Sequence, residues 1–96
     1  MKAVVIERYK DNGVITSYKI CPKGGVSRFV PADELRDAVK SGKVELTNFK
    51  LSTNNRLIPS VKPYEVRSET CFVDNGTGKQ KQILETIEVF IKRQRH

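Results

Sequence analysis

The sequence is poor in the residues that most enzymes and metal sites require. Its 96 residues include one histidine, two cysteines, one methionine and no tryptophan. The histidine is the last residue, His96, and fraying of a chain end works against accurate positioning. This argues against serine and cysteine triads, histidine acid–base catalysis and most zinc sites. We therefore expect a protein that is not an enzyme and that needs no cofactor and no metal.

The two cysteines do not form a recognisable site. Cys21 and Cys71 lie in strand-like segments, and their spacing matches no zinc-binding pattern. We expect buried free thiols, because a disulfide would require that the two strands be neighbours.

Long apolar runs are also missing. No stretch approaches the roughly 20 apolar residues that span a bilayer, and the apolar run within residues 1–8 is too short for a signal peptide. We therefore expect a cytoplasmic protein without membrane association. Apolar residues make up 38% and charged residues 30%, which is typical of one small globular domain, residues 1–96.

The clearest structural signal is a hairpin. Asn12-Gly13 lies between two strand-like segments, and Asn-Gly in that setting predicts a tight β-turn. A two-residue loop places the odd-numbered residues of the first strand on the face of Tyr18 and Ile20. A three-residue loop with a bulge places Ile6 and Arg8 there instead. Both registers predict that the face with Tyr18 and Ile20 packs.

A helix is predicted over residues 31–42. Pro31 suits the first helical position, and Gly42 is a natural left-handed stop. The inward stripe has the i, i+3, i+4 spacing of an amphipathic helix and consists of Leu35, Ala38 and Val39. Asp33 and Asp37 lie four residues apart, a spacing that on a surface helix is usually a solvated face.

Further strands are predicted over residues 44–51 and 64–73, with short ones at 28–30 and 56–58. The last segment, residues 79–95, is ambiguous. As a strand, it could form a hairpin through Asp74-Asn75-Gly76. As a helix, it has a continuous apolar stripe of Ile83, Leu84, Ile87, Phe90 and Ile91. We favour the helix, because a strand would place Leu84 and Phe90 opposite the other apolar residues.

These elements together predict an α+β domain. It consists of an antiparallel sheet of four or five strands covered by the 31–42 helix and a C-terminal helix.

The charge is strongly positive and unevenly distributed. The net charge is +7, with six basic and two acidic residues in 1–31 and five and two in 79–96. Such an excess favours nucleic acid or acidic protein surfaces. The candidate binding residues lie on the first hairpin and in the C-terminal tail: Arg8, Lys10, Lys19, Lys23, Lys92, Arg93 and Arg95. Arg8 and Lys10 share one face, and a two-residue loop places Lys19 beside them, which would form a basic ribbon.

A resemblance covers a little over half of the chain, from Val4 to Ile58. It rests on Asp11-Asn12-Gly13-Val14-Ile15-Thr16, Leu35, Ala38, Val39, Gly42-Lys43-Val44 and Asn54-Asn55-Arg56-Leu57-Ile58. In these residues the chain resembles small uncharacterised proteins of phages and conjugative elements of Gram-positive bacteria. The resemblance implies a phage or mobile-element setting. That group has no established activity, so no functional residue is carried across.

Two functional hypotheses follow. The first is a non-enzymatic binding protein, an accessory factor of a phage or mobile element that contacts a host or element protein. An inhibitor of a nucleic-acid-handling host system is one concrete version. The second is a nucleic-acid-binding module that uses the basic hairpin face and tail. The apolar stripe of residues 79–95 either packs on the sheet, which we favour, or forms a dimer or partner interface.

Overall fold

A six-stranded sheet carries one short helix on one of its faces. The computed structural model describes residues 1–74, 76 and 78–92. The described elements, in chain order, are β1 Lys2–Asp11, β2 Val14–Pro22, β3 Arg28–Pro31, α1 Ala32–Lys40, β4 Glu45–Leu46, β5 Phe49–Leu51, β6 Leu57–Pro59, β7 Glu65–Asp74 and β8 Gln80–Val89. A mostly antiparallel sheet with one helix confirms the predicted α+β class.

The sheet is antiparallel except at one short edge. Its order is β3-β2-β1-β8-β7, and β4 pairs in parallel with the start of β1. β5 and β6 form a separate two-stranded sheet. The predicted four or five strands are therefore too few, because the described main sheet has six.

The first hairpin combines features of the two predicted registers. Asp11 pairs with Val14 across a two-residue loop, in which Asn12 and Gly13 both have positive φ, as a type I′ turn requires. The register then shifts twice along β1, once between Tyr9 and Lys10 and once between Val5 and Glu7. As a result Arg8 pairs with Tyr18, and Val5 with Ile20. Tyr18 and Ile20 are buried, which confirms that this face packs.

The helix forms where its spacing and charges predict it. Ala32–Lys40 is helical, with Pro31 before its first turn and Gly42 at a φ of 82° after its last. Leu35 is buried, and Ala38 and Val39 pack against the same core. The core also contains Ile20, Phe49 and Phe90. The helix therefore covers the β2 side of the sheet.

Residues 44–51 do not form the single strand that their composition predicts. They form β4 and β5, separated by the buried Asn48. The Asn48 Oδ1 accepts from the Val5 N–H at 2.9 Å, and its Nδ2 donates to the Val5 carbonyl at 2.8 Å. β4 covers β1 at Lys2 and Ala3, and β8 covers it from Glu7 onward. Between these two stretches β1 has no strand partner on that edge. The Asn48 side chain provides the hydrogen-bond partners that the backbone N–H and carbonyl of Val5 need there.

The predicted C-terminal helix is wrong, since Gln80–Val89 is strand β8. β8 lies between β1 and β7, and near its end both faces are buried. Ile87 and Val89 are buried on one face, and Glu88 and Phe90 on the other. Apolar residues of both parities are typical of a central strand, and here they produce a spacing that imitates a helical stripe. Leu84 is left exposed.

The two cysteines lie on strands that are not neighbours in the sheet. Cys21 is a free, half-buried thiol on β2, whereas Cys71 belongs to β7. Two strands separate β2 from β7, which amounts to about 14 Å at the usual strand spacing of about 4.8 Å. The condition for a disulfide is therefore not met.

No helix among the described residues has the length and apolar content that crossing a bilayer requires.

Candidate binding surfaces

Arg8 and Lys10 share one face of β1, as predicted, but both are held by one carboxylate. An Arg8 guanidinium nitrogen donates to the Glu88 Oε2, and the Lys10 Nζ lies 2.7 Å from the Glu88 Oε1. Burial raises the pKa of Glu88, but hydrogen bonds from Lys10 and Arg8 and their positive charges outweigh it, so the pKa lies below its ordinary value. This cluster is part of the packed face of the sheet rather than a free basic surface.

Arg8 is buried to an extent that is rare for arginine. Its residue exposure is 8%, and its guanidinium carbon lies 5.7 Å from the Phe49 ring centre and 5.5 Å from that of Phe90. The two rings meet edge to face at 4.8 Å. Cation–π contacts of this kind gain strength when the cation is desolvated. Arg8 therefore supports the core.

The other predicted basic residues are dispersed. Lys19 lies opposite Glu7 in the register of β1 and β2, and its Nζ is 5.5 Å from the centre of the exposed Phe29 ring. The register shift between Tyr9 and Lys10 places Lys19 on the face of the sheet opposite Arg8. Lys23 is exposed in the turn after β2, and Lys92 is exposed beyond β8. Arg93 and Arg95 lie outside the described residues. A continuous basic ribbon of Arg8, Lys10 and Lys19 is thus not formed.

A polar network covers the opposite face of the sheet. The Tyr9 hydroxyl donates to the Glu7 carboxylate, and Arg67 lies 3.5 Å from the Glu7 Oε1. Arg67 also donates to Glu69 at 2.7 Å and to Glu65 at 2.8 Å, and these bonds raise its pKa. Burial and then the hydrogen bond to Glu7 raise the pKa of the Tyr9 hydroxyl. The network shields the buried Ile87 and Val89 from water.

The carboxylates of the helix have a simple structural role. Asp33 is 2.9 Å from the Arg36 guanidinium, in an exposed i, i+3 pair. Among the described residues, no group of three or more histidine, cysteine, aspartate or glutamate side chains is placed to hold a metal ion.

Three exposed apolar side chains lie on one face of the β7–β8 hairpin. Val66, Phe72 and Leu84 are 60%, 64% and 64% exposed. Thr70 pairs with Leu84, and Phe72 with Gln82, so Phe72 and Leu84 are diagonal neighbours on one face, at a distance that large side chains bridge. We call Val66, Phe72 and Leu84 the hairpin patch.

The hairpin patch has an open edge beside it. β7 pairs with β8 on one side, and no strand among the described residues covers its other side. The predicted strand over residues 64–73 puts Val66 and Phe72 on one face because side chains alternate along a strand, but nothing in the sequence indicates that this face stays exposed. The predicted helix over residues 79–95 included Leu84 in its packed apolar stripe, so the exposure of Leu84 was not predicted.

Comparison of the chain with protein-family models, with curated protein sequences and with solved structures finds no significant match.

Proposed function

We propose that this is a non-enzymatic binding protein, an accessory factor of a phage or mobile element that contacts an acidic host or element protein through the hairpin patch. The supporting observation is the exposure of Val66, Phe72 and Leu84 on one face of one hairpin. Single exposed apolar residues are ordinary, whereas neighbouring ones on one face, such as Phe72 and Leu84, are typical of an interaction site.

The open edge of β7 strengthens the proposal. An extended segment of a partner can add to such an edge through backbone hydrogen bonds, while neighbouring pockets or patches select its side chains. The apolar residues flank this edge on one face, and the charged Glu65, Arg67 and Glu69 occupy the other. An added strand would therefore bury apolar side chains on the hairpin-patch face.

The charge of the chain selects the partner class. A net charge of +7 steers association toward a protein of opposite sign and suppresses association with basic proteins. A second copy of this chain carries the same charge, which opposes self-association at low ionic strength. An acidic protein is therefore the partner that we propose.

The test is a capture experiment with matched variants. The tagged full-length protein is incubated with nuclease-treated lysate of a Gram-positive bacterium, beside Phe72→Ser and Phe29→Ser. Phe29 is a suitable control because it is 63% exposed on the opposite face. We expect one acidic protein to be captured by the wild type and by Phe29→Ser, and to be lost from Phe72→Ser.

Two outcomes would contradict the proposal. In the first, Phe72→Ser and Phe29→Ser retain the same proteins in the same amounts as the wild type. In the second, light scattering shows a dimer that Phe72→Ser converts to a monomer, which would assign the hairpin patch to a second copy of the chain.

Nucleic-acid binding is the second candidate, and the net charge favours it. Of the four predicted binding residues on the first hairpin, Lys19 and Lys23 are not held by Glu88. If they contact phosphates, affinity for DNA or RNA should fall steeply with salt, and Lys19→Gln with Lys23→Gln should flatten that slope. No measurable binding of single- or double-stranded DNA or RNA at low salt would eliminate this candidate.

A further inference from the structure

A cleft opens between three parts of the chain that are distant in sequence. It has a volume of about 540 Å³ and lies between the turn of the first hairpin, the start of α1 and the start of β6. The buried Arg8 and Tyr18 line it, together with Ala32 and Arg36 from the helix and Arg56 and Leu57 at the start of β6. Its size is within the range of small-molecule sites.

The charge of the cleft lining is positive. Three arginines line it, namely Arg8 on β1, Arg36 on α1 and Arg56 just before β6, against one aspartate, Asp33. Asp33 pairs with Arg36, but its side chain is 85% exposed, so solvent weakens this pair. Arg8 shares the carboxylate of Glu88 with Lys10, which leaves that buried cluster with one positive charge in excess. Nothing in the lining fully compensates the arginines.

Two further features suit an anion. The Nε of Arg8 is buried and has no hydrogen-bond partner among the described residues. Ala32 and Asp33, in the first turn of α1, line the cleft, and no side chain caps that end of the helix. The free N–H groups and the positive end of the helix dipole there favour negative charge.

The remaining lining is apolar. Val14, Ile15, Leu57 and Ile58 are among the lining residues. A fully hydrated inorganic ion would gain nothing from these residues, whereas a compound with an apolar body would bury surface against them.

We propose that this cleft binds a small organic anion, an apolar or aromatic compound that carries one phosphate or carboxylate group. The anionic group lies between Arg36 and Arg56, since arginine forks pair with both kinds of oxyanion. The apolar body lies against Ile15 and Leu57. The proposal is independent of the hairpin patch, which is formed by other strands.

The test is a titration of the labelled full-length protein followed by amide chemical shifts. The probes are phenyl phosphate and benzoate, with inorganic phosphate and phenol as controls that lack the apolar body and the charge. We expect saturable shifts at Gly13, Ala32 and Arg56 with at least one aromatic anion, and the stronger of the two identifies the anionic group. We expect binding of both controls to be at least tenfold weaker.

Matched arginine variants complete the test. Arg36→Gln and Arg56→Gln should each weaken binding of the preferred aromatic anion at least tenfold, whereas Arg28→Gln should leave it unchanged, because Arg28 is exposed on β3 outside the cleft. The proposal is overturned if neither aromatic anion saturates the shifts, if phenol or inorganic phosphate binds as tightly, or if Arg28→Gln weakens binding as much as the cleft variants.

Discussion

Glu88 is the residue on which the centre of the sheet depends. Its carboxylate is bound by Arg8 and Lys10, and it is buried together with Arg8. Replacing a buried pair by apolar residues is often neutral, but removing one partner leaves a buried charge without compensation and is strongly destabilising. The attraction within the pair therefore adds little net stability, whereas loss of either partner alone strongly destabilises the folded state.

Glu88→Gln should lower the free energy of unfolding at pH 7 by about 3 kcal/mol, because Arg8 keeps its charge and loses its carboxylate. Urea unfolding measures this. Glu45→Gln, at an exposed residue of β4, is the control and should change the stability by less than about 0.5 kcal/mol. Equal effects of the two substitutions would show that the Glu88 cluster is not needed.

The same cluster predicts a pH dependence. The pKa of Glu88 is lower in the folded state than its ordinary value, so its contribution is complete above about pH 4.3, the usual glutamate pKa. The contribution is lost as the pH falls through the lowered folded pKa. The stability difference between the wild type and Glu88→Gln should therefore shrink on acidification below about pH 4. A difference that stays constant to pH 2 would contradict this assignment.

At the scale of the element, α1 shows why some structure is readable from sequence. Its apolar spacing, the proline before it, the acidic first turn and the glycine after it are all local features, and each agrees with the others. Its first and last helical residues are accordingly within two positions of the predicted bounds.

Leu35→Ala should lower the free energy of unfolding by about 2–5 kcal/mol, the usual cost of truncating a buried leucine. Leu35 is 1% exposed and faces the β2 side of the sheet. Leu84→Ala is the matched control, since Leu84 is 64% exposed, and it should stay within about 0.5 kcal/mol of the wild type. A Leu35→Ala effect as small as that of the control would remove α1 from the core.

The elements that the sequence missed depend on distant contacts. β8 was mistaken for a helix because it is a central strand whose last residues are buried on both faces, Ile87 and Val89 on one and Glu88 and Phe90 on the other, and burial of both faces erases the alternation that marks a strand. Besides the turn residues Asp74-Asn75-Gly76, the β-branched Ile83, Thr86, Ile87 and Val89 are a local feature that favours a strand here.

The surfaces were still less accessible to sequence reasoning. The register shift near Tyr9 places Lys19 on the face opposite Arg8, and no residue type at that point indicates a bulge. The cleft combines Arg8, Arg36 and Arg56, which are far apart in sequence and become neighbours only through the packing of three elements. Only the break between β4 and β5 had a local signal, since Asn48 lies there and asparagine is depleted in strands.

The whole molecule is more extended than its length requires. Its radius of gyration is 14.2 Å, against about 12–13 Å for a compact domain of this length. The β7–β8 hairpin accounts for this, since β8 pairs with β1 only from Glu85 to Val89 and continues beyond it with β7 alone. One end of the hairpin belongs to the core, and the other presents Phe72 and Leu84 to solvent.

Deletion of residues 79–96 should unfold the protein, because β8 is a central strand and its loss separates β7 from β1. It also removes the buried Glu88 and Phe90. Circular dichroism and urea titration of the truncated chain measure this. A truncated chain that unfolds cooperatively would show that β1, β2, β3 and α1 form a self-sufficient core.

The divided edge of β1 has a consequence for the order of folding. Its hairpin with β2 closes through a two-residue turn, whereas the Asn48 amide that holds Val5 is 43 residues away and the Glu88 that holds Arg8 is 80 residues away. Contacts close in sequence form with the smallest loss of chain entropy, and distant ones form later. During synthesis one edge of β1 therefore stays unpaired until the residues around Glu88 have emerged. We expect φ-values to be high at Tyr18 and low at Asn48 and Phe90.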